Sequence, residues 1–187
     1  MSHSEKKSRR ALIPIYALLC SLTVLGRFIT LPLPIPITMQ FAVTNTSALL
    51  LGRRGVIPPL LYTALGLIGL PVFTSGGGLG CMLEPTFGFI PGLVLGALVT
   101  GFISEKRHST AAMALASAAG LVCVYLCGTV YYALLQRLYF AAPVDLTGIL
   151  GICILPFILP DAAKCTLSIF LCKKLTRHIK IQPTDRT

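Results

Sequence analysis

The sequence predicts an all-α membrane protein with six transmembrane helices, both termini in the cytoplasm, and irregular Pro- and Gly-rich loops on the outer side. Its mean hydropathy is +0.82 and only 12% of its 187 residues are charged, whereas about a quarter of the residues of a soluble domain are charged. This composition excludes an ordinary soluble globular protein. The apolar residues form six long segments: 11–31, 39–52, 56–72, 87–104, 111–136 and 146–172.

The basic residues predict the orientation of these segments. They lie in short clusters between the apolar segments, which is typical of loops at a membrane surface and argues against a nucleic-acid-binding surface. With the N-terminus inside, 13 of the 16 Lys and Arg residues fall on the inner side. A five-span arrangement would place one terminus on the wrong side. We therefore expect a multi-pass protein of the plasma (inner) membrane, with a basic N-terminal tail (1–10), one membrane domain (11–176) and a C-terminal tail (177–187).

The six apolar segments differ in length, and their lengths indicate which of them can form a simple membrane span. The first, 11–31, follows a basic cluster as a signal peptide would, but it is too long and lacks a small-x-small cleavage site, so we interpret it as a span. The second and third, 39–52 and 56–72, are shorter than the roughly 20 residues that a simple span needs. The last, 146–172, is long enough to tilt or to break.

Two regions interrupt the helical pattern, and both fall on the predicted outer side. Residues 31–41 read LPLPIPITMQF, and alternating prolines favour extended backbone over helix. Residues 69–92 are rich in glycine and contain three prolines. Irregular backbone at membrane depth is tolerated where protein or a polar cavity satisfies it. The two loops therefore predict a lid and a lined pocket.

Asp161 and Lys164 lie inside an otherwise apolar run and are three residues apart, which places them on one face of a helix. A helix beginning at Pro160 would put Asp161 in the outer half of the bilayer, level with the irregular loops. A charge near the bilayer centre costs about 2.5–3.5 kcal/mol, so neither side chain is expected to face lipid. One interpretation is a local ion pair that neutralises itself. The other, which we favour, is a ligand-binding site.

Further polar, aromatic and glycine residues fall at a compatible depth. Taken singly, most of the polar ones are also explained by helix packing, and a Gly run by a flexible turn. Their clustering on one side favours a pocket, since small-molecule sites are mostly apolar with a few placed polar groups. The candidates are Thr38, Gln40, Asn45, Tyr62, Phe73, Gly76, Gly77, Gly78, Glu84, Thr86 and Phe87.

Other chemistries find little support in the sequence. Cys123 and Cys127 share a helix face, but no His or carboxylate completes a metal site, and the cysteines are read as small apolar filler. His3, His108 and His178 fall in the termini or the basic loop, which argues against a histidine-based mechanism. There is no GxxxxGK[ST] loop. We expect no enzyme activity, no metal and no cofactor.

Several stretches carry a family resemblance. PIPITMQF, LLLGRRG, YTALGLIGLPVFTSGGGLG, EPTFGFIPG and LPDAAK occur in this order over roughly residues 32–170. In this pattern the chain resembles the BioY family, the biotin-capturing membrane subunit (S component) of energy-coupling-factor transporters. The resemblance implies six helices, cytoplasmic termini, and one biotin in a pocket near the outer face, covered by the first loop.

The resemblance also suggests roles for the candidate residues. Asp161 would accept ureido N–H bonds, and Gln40 or Asn45 would serve as donor and acceptor. Lys164 would neutralise the ligand carboxylate or stabilise Asp161. The rings of Tyr62, Phe73 and Phe87 would pack on the ligand.

One residue departs from the family pattern. Glu84 stands where family members commonly have a small residue, and an anion beside a pocket for a carboxylate ligand is unexpected. It would face solvent, pair with Lys164, or shift the preference among vitamins.

The resemblance implies protein partners: a transmembrane coupling subunit and two cytoplasmic ATPases, which would use the ATP. Ala17 and Ser21 form a small-xxx-small pair suited to docking, or equally to packing within the helix bundle. The alternatives are an S component for another vitamin and a proton-coupled secondary transporter that uses Asp161. The second would be supported by inverted repeats, and none is found.

Overall fold

The computed structural model describes residues 3–31, 37–105, 109–140 and 146–178. These residues form seven α-helices, three short 3-10 helices and one two-stranded antiparallel ribbon, so the all-helical class is confirmed. The α-helices are α1 His3–Gly26, α2 Gln40–Leu51, α3 Ile57–Leu67, α4 Phe89–Ser104, α5 Thr110–Leu138, α6 Leu146–Cys153 and α7 Ile158–His178. The 3-10 helices are Gly52–Val56, Leu79–Leu83 and Leu155–Phe157, and the strands are β1 Thr30–Leu31 and β2 Ile37–Thr38.

The last predicted segment is broken into two helices. Pro156 lies in the 3-10 turn Leu155–Phe157 between α6 and α7, and a proline removes one helical hydrogen bond and crowds the preceding turn. Pro160 lies in the first turn of α7, where a missing N–H costs nothing. The predicted choice between a tilted and a broken segment is therefore resolved as a break.

Two helical stretches among the described residues are long and apolar enough to cross a membrane, Thr110–Leu138 and Thr147–Arg177, and Leu12–Gly26 and Phe89–Ser104 are apolar but shorter. Along α5 an apolar stripe is exposed at nearly regular helical spacing, comprising Leu115, Val122, Leu126, Val130 and Leu134. Such a stripe suits lipid contact. The count of six spans and the cytoplasmic side of both termini remain predictions.

The short helix α2 lies at the centre of the bundle. Every one of its residues except Val43 is buried, and it packs against α1, α4 and α7. Its 12 residues extend only about 18 Å at 1.5 Å per residue. Because other helices surround it, α2 does not have to reach from one membrane surface to the other.

Hydrogen bonds tie α2 to its neighbours. Asn45 Nδ2 donates to Ser117 Oγ on α5 at 3.0 Å, and Ser168 Oγ on α7 donates to the Ala42 carbonyl at 3.0 Å. In a membrane the hydrophobic effect does not drive helices together, because the lipid is as apolar as their side chains. Hydrogen bonds of this kind and close packing of small residues then hold the helices together.

The helices α4 and α5 approach each other through glycines. A Cβ placed on Gly120 would lie 2.8 Å from the carbonyl oxygen of Gly96 and would overlap Thr100 Oγ1. The same Thr100 hydroxyl donates to the Ala116 carbonyl at 3.2 Å. The backbones are therefore in direct contact, which only residues without side chains permit.

At the predicted outer end, the α3–α4 loop (residues 68–88) folds back over the bundle. Phe73 and Gly76 exchange both backbone hydrogen bonds, at 2.8 and 3.0 Å. Gly76 adopts φ +116°, a conformation open to glycine at little cost. The proline loop joins β1 to β2, and its Pro32, Pro34 and Pro36 lie outside the described residues.

We predict that Gly120→Ala lowers the stability of the protein although alanine is the better helix former. The new methyl group meets backbone that cannot move aside, and overpacking of this kind costs about 1–3 kcal/mol. Thermal unfolding in detergent, followed by far-UV circular dichroism, measures the change. Gly151→Ala is the matched control, because a Cβ on Gly151 meets nothing within 4 Å. An equal or higher midpoint for Gly120→Ala would contradict the packing described.

Candidate ligand-binding site

A cavity lies beneath the α3–α4 loop, bounded by α2, α4, α5 and α7. Its volume is about 90 Å³, several times the roughly 10–15 Å³ that one water molecule needs. Its wall is mostly apolar and aromatic, with a few polar groups, as in small-molecule sites. The wall residues are Thr38, Gln40, Phe41, Phe73, Thr74, Ser75, Cys81, Thr86, Phe87, Phe89, Ile90, Leu93, Leu121, Val124, Tyr125, Phe157, Asp161 and Lys164.

Two opposite charges lie together in this wall. Asp161 and Lys164 are only 5% and 6% exposed, and Lys164 Nζ donates to Asp161 Oδ1 at 2.7 Å. The other carboxylate oxygen, Oδ2, accepts a hydrogen bond from the Tyr125 hydroxyl at 2.6 Å. The predicted ion pair is therefore present, and both of its charges also line the cavity. The ligand-binding interpretation stays a prediction.

The pair retains unused hydrogen-bonding capacity. An ammonium carries three N–H donors and a carboxylate about four acceptor sites, and the bonds to Asp161 and from Tyr125 use only part of these. A guest molecule thus meets one donor and one acceptor side by side, with no net charge between them.

A second polar group of the wall is fixed by a chain of hydrogen bonds. The Gln40 amide oxygen accepts from the Thr38 hydroxyl at 3.2 Å, and Gln40 Nε2 donates to the Tyr62 hydroxyl at 2.6 Å. Tyr62 in turn donates to the Val72 carbonyl at 3.3 Å. The chain sets which way the Gln40 amide points and joins α2, α3 and the α3–α4 loop.

Aromatic rings form one side of the cavity. The Phe73 ring meets Tyr62 edge-on at 5.4 Å and Phe87 edge-on at 6.1 Å between centroids, an arrangement that aromatic pairs prefer. Gly66 makes room for the Phe73 ring, since a Cβ there would overlap it. The ring is therefore seated on α3 and turned toward the cavity.

Seven of the predicted candidates lie in the cavity wall: Thr38, Gln40, Phe73, Thr86, Phe87, Asp161 and Lys164. Tyr62 lies behind the wall and supports Gln40. Asn45 is a correction, because it is 2% exposed and its amide is directed at Ser117, although its Oδ1 lacks a hydrogen-bond partner among the described residues.

The glycines and Glu84 also lie outside the wall. Gly76 and Gly78 have positive φ angles and shape the loop, while a Cβ on Gly77 would overlap the Leu70 carbonyl. Glu84 is exposed to solvent, and Lys164 forms its ion pair with Asp161. Of the three possibilities raised for Glu84, exposure to solvent is the one observed.

The most informative residue that the sequence reasoning missed is Tyr125. It lies on α5, far from Asp161 in sequence, so no local spacing joins the two. A signal was available, because a tyrosine inside a long apolar helix needs a partner for its hydroxyl.

The predicted docking pair lies outside the cavity. Ala17 and Ser21 are both exposed on α1, with the Ser21 hydroxyl donating to the Ala17 carbonyl at 2.9 Å. Their side chains therefore do not pack inside the bundle. For metals, the described residues contain no group of three His, Cys, Asp or Glu side chains placed to hold an ion.

Comparison with known proteins places this architecture in a family. The family model described as "BioY family" matches residues 2–181. A "Probable biotin transporter BioY" of Lysinibacillus sphaericus is 39% identical over 65% of this chain and 63% of its own length. A "Biotin transporter BioY" of Thermotoga maritima is 39% identical over 58% of this chain. The chain spans 63% and 66% of the lengths of these two relatives.

A solved structure shares the fold. The S-component for biotin from an ECF-type ABC transporter superposes with a TM-score of 0.79 and 24% identity, over 95% of both chains. At 24% identity this similarity shows a shared fold and no more. The match of the family model over nearly the whole chain carries the assignment: the chain belongs to the BioY family.

Proposed function

We propose that the chain takes up biotin as the high-affinity substrate-binding membrane component of an energy-coupling-factor transporter. The observation that carries this proposal is the buried pair of Asp161 and Lys164 in the cavity wall. Family membership, relatives named as biotin transporters, and a structural neighbour named as an S-component for biotin all support it.

The ureido group of biotin complements the charged pair. It is neutral and presents N–H donors next to a carbonyl acceptor, so Asp161 accepts from an N–H while Lys164 donates to the carbonyl. A carboxylate at this position would meet the negative charge of Asp161 as well as the ammonium. We therefore propose that the ureido ring binds at the ion pair, with the Gln40 amide as a further polar contact.

The rest of the ligand follows the wall outward. The thioether ring and aliphatic chain pack against Phe73, Phe87 and Leu93, which supply apolar surface. The carboxylate lies near the mouth, where Thr74 and Ser75 are exposed and offer hydroxyl groups. Glu84, being outside the wall, does not oppose it.

The topology and partners that we propose follow the sequence predictions. The broken pair α6 and α7 counts as one of six spans, and both termini are cytoplasmic, with the tails at 1–10 and 177–187 flanking one membrane domain. A transmembrane coupling subunit and two ATPases supply the energy, and the coupling subunit docks on the exposed face of α1 at Ala17 and Ser21. The chain itself needs no cofactor.

Isothermal titration of the purified protein tests the proposed ligand. We expect biotin and desthiobiotin, which share the ureido group and the carboxylate, to bind with similar affinity. Lipoate has the carboxylate but no ureido group, so it should bind at least a hundredfold more weakly, because it leaves buried donors and acceptors unmatched. Tighter binding of lipoate would point to an S component for another vitamin.

A second prediction concerns the charged pair. Asp161→Asn or Lys164→Met alone leaves one buried charge unpaired, which costs about 3–5 kcal/mol of stability. The double variant Asp161→Asn/Lys164→Met removes both charges, so we expect its thermal stability to recover while biotin binding stays undetectable in titration. A purely structural pair would give the opposite result, with binding recovered together with stability.

The Arg53–Glu105 ion pair is the matched control. Its N–O distance is also 2.7 Å, but neither residue lies in the cavity wall. The double variant Arg53→Met/Glu105→Gln is expected to bind biotin like the unmodified protein.

A third prediction isolates the hydroxyl of Tyr125. Tyr125→Phe keeps the ring in the wall but removes the donor to Asp161 Oδ2, so the carboxylate is less firmly oriented. We expect biotin affinity to fall about tenfold, the value of one hydrogen bond to a charged group. Tyr132→Phe on the same helix removes a hydroxyl whose partner is Gln136 and is expected to leave affinity unchanged. Equal affinities for both variants would contradict the role given to Tyr125.

A further inference from the structure

We propose that Arg27 is a positioning residue for ligand binding, which fastens the α3–α4 loop to the end of α1 and thereby holds Phe73 in the cavity wall. The inference rests on the proposed function for the identity of the ligand. The statement that Arg27 holds the loop over the cavity rests only on the contacts of Arg27 with the loop.

The contacts of Arg27 are unusual for a surface cation. Its Nη1 donates to the carbonyl oxygens of both Pro71 and Phe73, the latter at 2.6 Å. Its guanidinium carbon lies 4.5 Å from the centroid of the Phe28 ring. One guanidinium nitrogen thus joins the end of α1 to two carbonyls of the loop, and each bond is charge-assisted.

The other hydrogen bonds of the loop segment around Phe73 join uncharged groups. The bonds between Phe73 and Gly76 stay within the loop, and Pro71 has no N–H to donate. The bond from Tyr62 to the Val72 carbonyl is long, at 3.3 Å. Gly78, two residues beyond Gly76, donates its N–H to the Gly66 carbonyl of α3 at 2.7 Å. Arg27 adds two charge-assisted bonds that join the segment Pro71–Phe73 to the end of α1.

The same end of α1 also touches the backbone that leads into Gln40. The Gly26 carbonyl accepts from the Met39 N–H at 3.1 Å, and a Cβ on Gly26 would lie 3.0 Å from the Gln40 nitrogen. Two consecutive residues, Gly26 and Arg27, thus contact the backbones that carry Gln40 and Phe73. The end of α1 sets the distance between a polar and an aromatic side of the cavity without entering it.

Cys81 reports on the state of the loop. Its thiol is 6% exposed, lies in the cavity wall and packs in one cluster with Phe73 and Phe87. Cys172 is fully buried in a different cluster, with Leu12 and Leu50. Release of the loop should expose Cys81 and leave Cys172 protected, whereas general unfolding would expose both.

The experiment compares the unmodified protein with the variant Arg27→Ala. If Arg27→Ala does not fold, the milder variant Arg27→Lys replaces it, and the same outcomes apply. The rate of N-ethylmaleimide modification is followed at each cysteine by mass spectrometry, and biotin affinity by titration. For Arg27→Ala we expect modification at Cys81 to accelerate about tenfold or more, no change at Cys172, and affinity lower by about ten- to hundredfold, as for loss of a charge-assisted bond. Arg137→Ala, an exposed arginine outside the wall, is the control and should change neither.

The outcomes separate the two proposals. Unchanged modification of Cys81 in the Arg27 variants overturns the positioning role, and so does equal acceleration at Cys81 and Cys172. If the unmodified protein does not bind biotin while the Arg27 variants expose Cys81 selectively, the loop contact stands and the proposed ligand is wrong. Selective exposure of Cys81 without any loss of biotin affinity overturns the link between Arg27 and binding.

Discussion

The ion pair of Asp161 and Lys164 is the interaction on which the rest of the molecule depends. Two charges taken out of water are tolerated only when each satisfies the other and neighbouring groups complete their hydrogen bonds. Here Tyr125 on α5 supplies a hydrogen bond that the two α7 residues cannot provide for themselves. The bond from Tyr125 joins α5 to α7 at the cavity, and all three residues lie in its wall.

The remaining architecture has two parts, a closely packed helix bundle and the α3–α4 loop that covers the cavity. Within the bundle, Gly96 and Gly120 bring two backbones into contact, and α2 is buried on nearly every side. Toward the outer side, the α3–α4 loop closes the hollow with Phe73 and Phe87. The division suits the proposed binding of a ligand, because the bundle holds the polar groups in place while the cover of the cavity is made of loop.

Much of this could be predicted from the sequence because the determining patterns are local. Apolar segments marked the helices, and a spacing of three residues placed Asp161 and Lys164 on one face. What failed required knowledge of contacts distant in sequence. Asn45 was predicted as a site residue, but its side-chain amide donates a hydrogen bond to Ser117 on another helix. Tyr125 was not predicted, because its contact with Asp161 depends on the packing of α5 against α7. The length of the segment 146–172 allowed either a tilt or a break and did not by itself distinguish the two.

The break between α6 and α7 has an electrostatic consequence. Because α7 begins at Ile158, Asp161 lies in its first turn, where the aligned peptide dipoles amount to roughly half a positive charge. The backbone dipoles therefore add a favourable interaction with the negative charge of Asp161 to the one that Lys164 supplies. A continuous helix through residues 155–157 would have cancelled this contribution. In the proposed binding mode, Lys164 can therefore share its ammonium between the ligand carbonyl and a carboxylate that the start of α7 also stabilises.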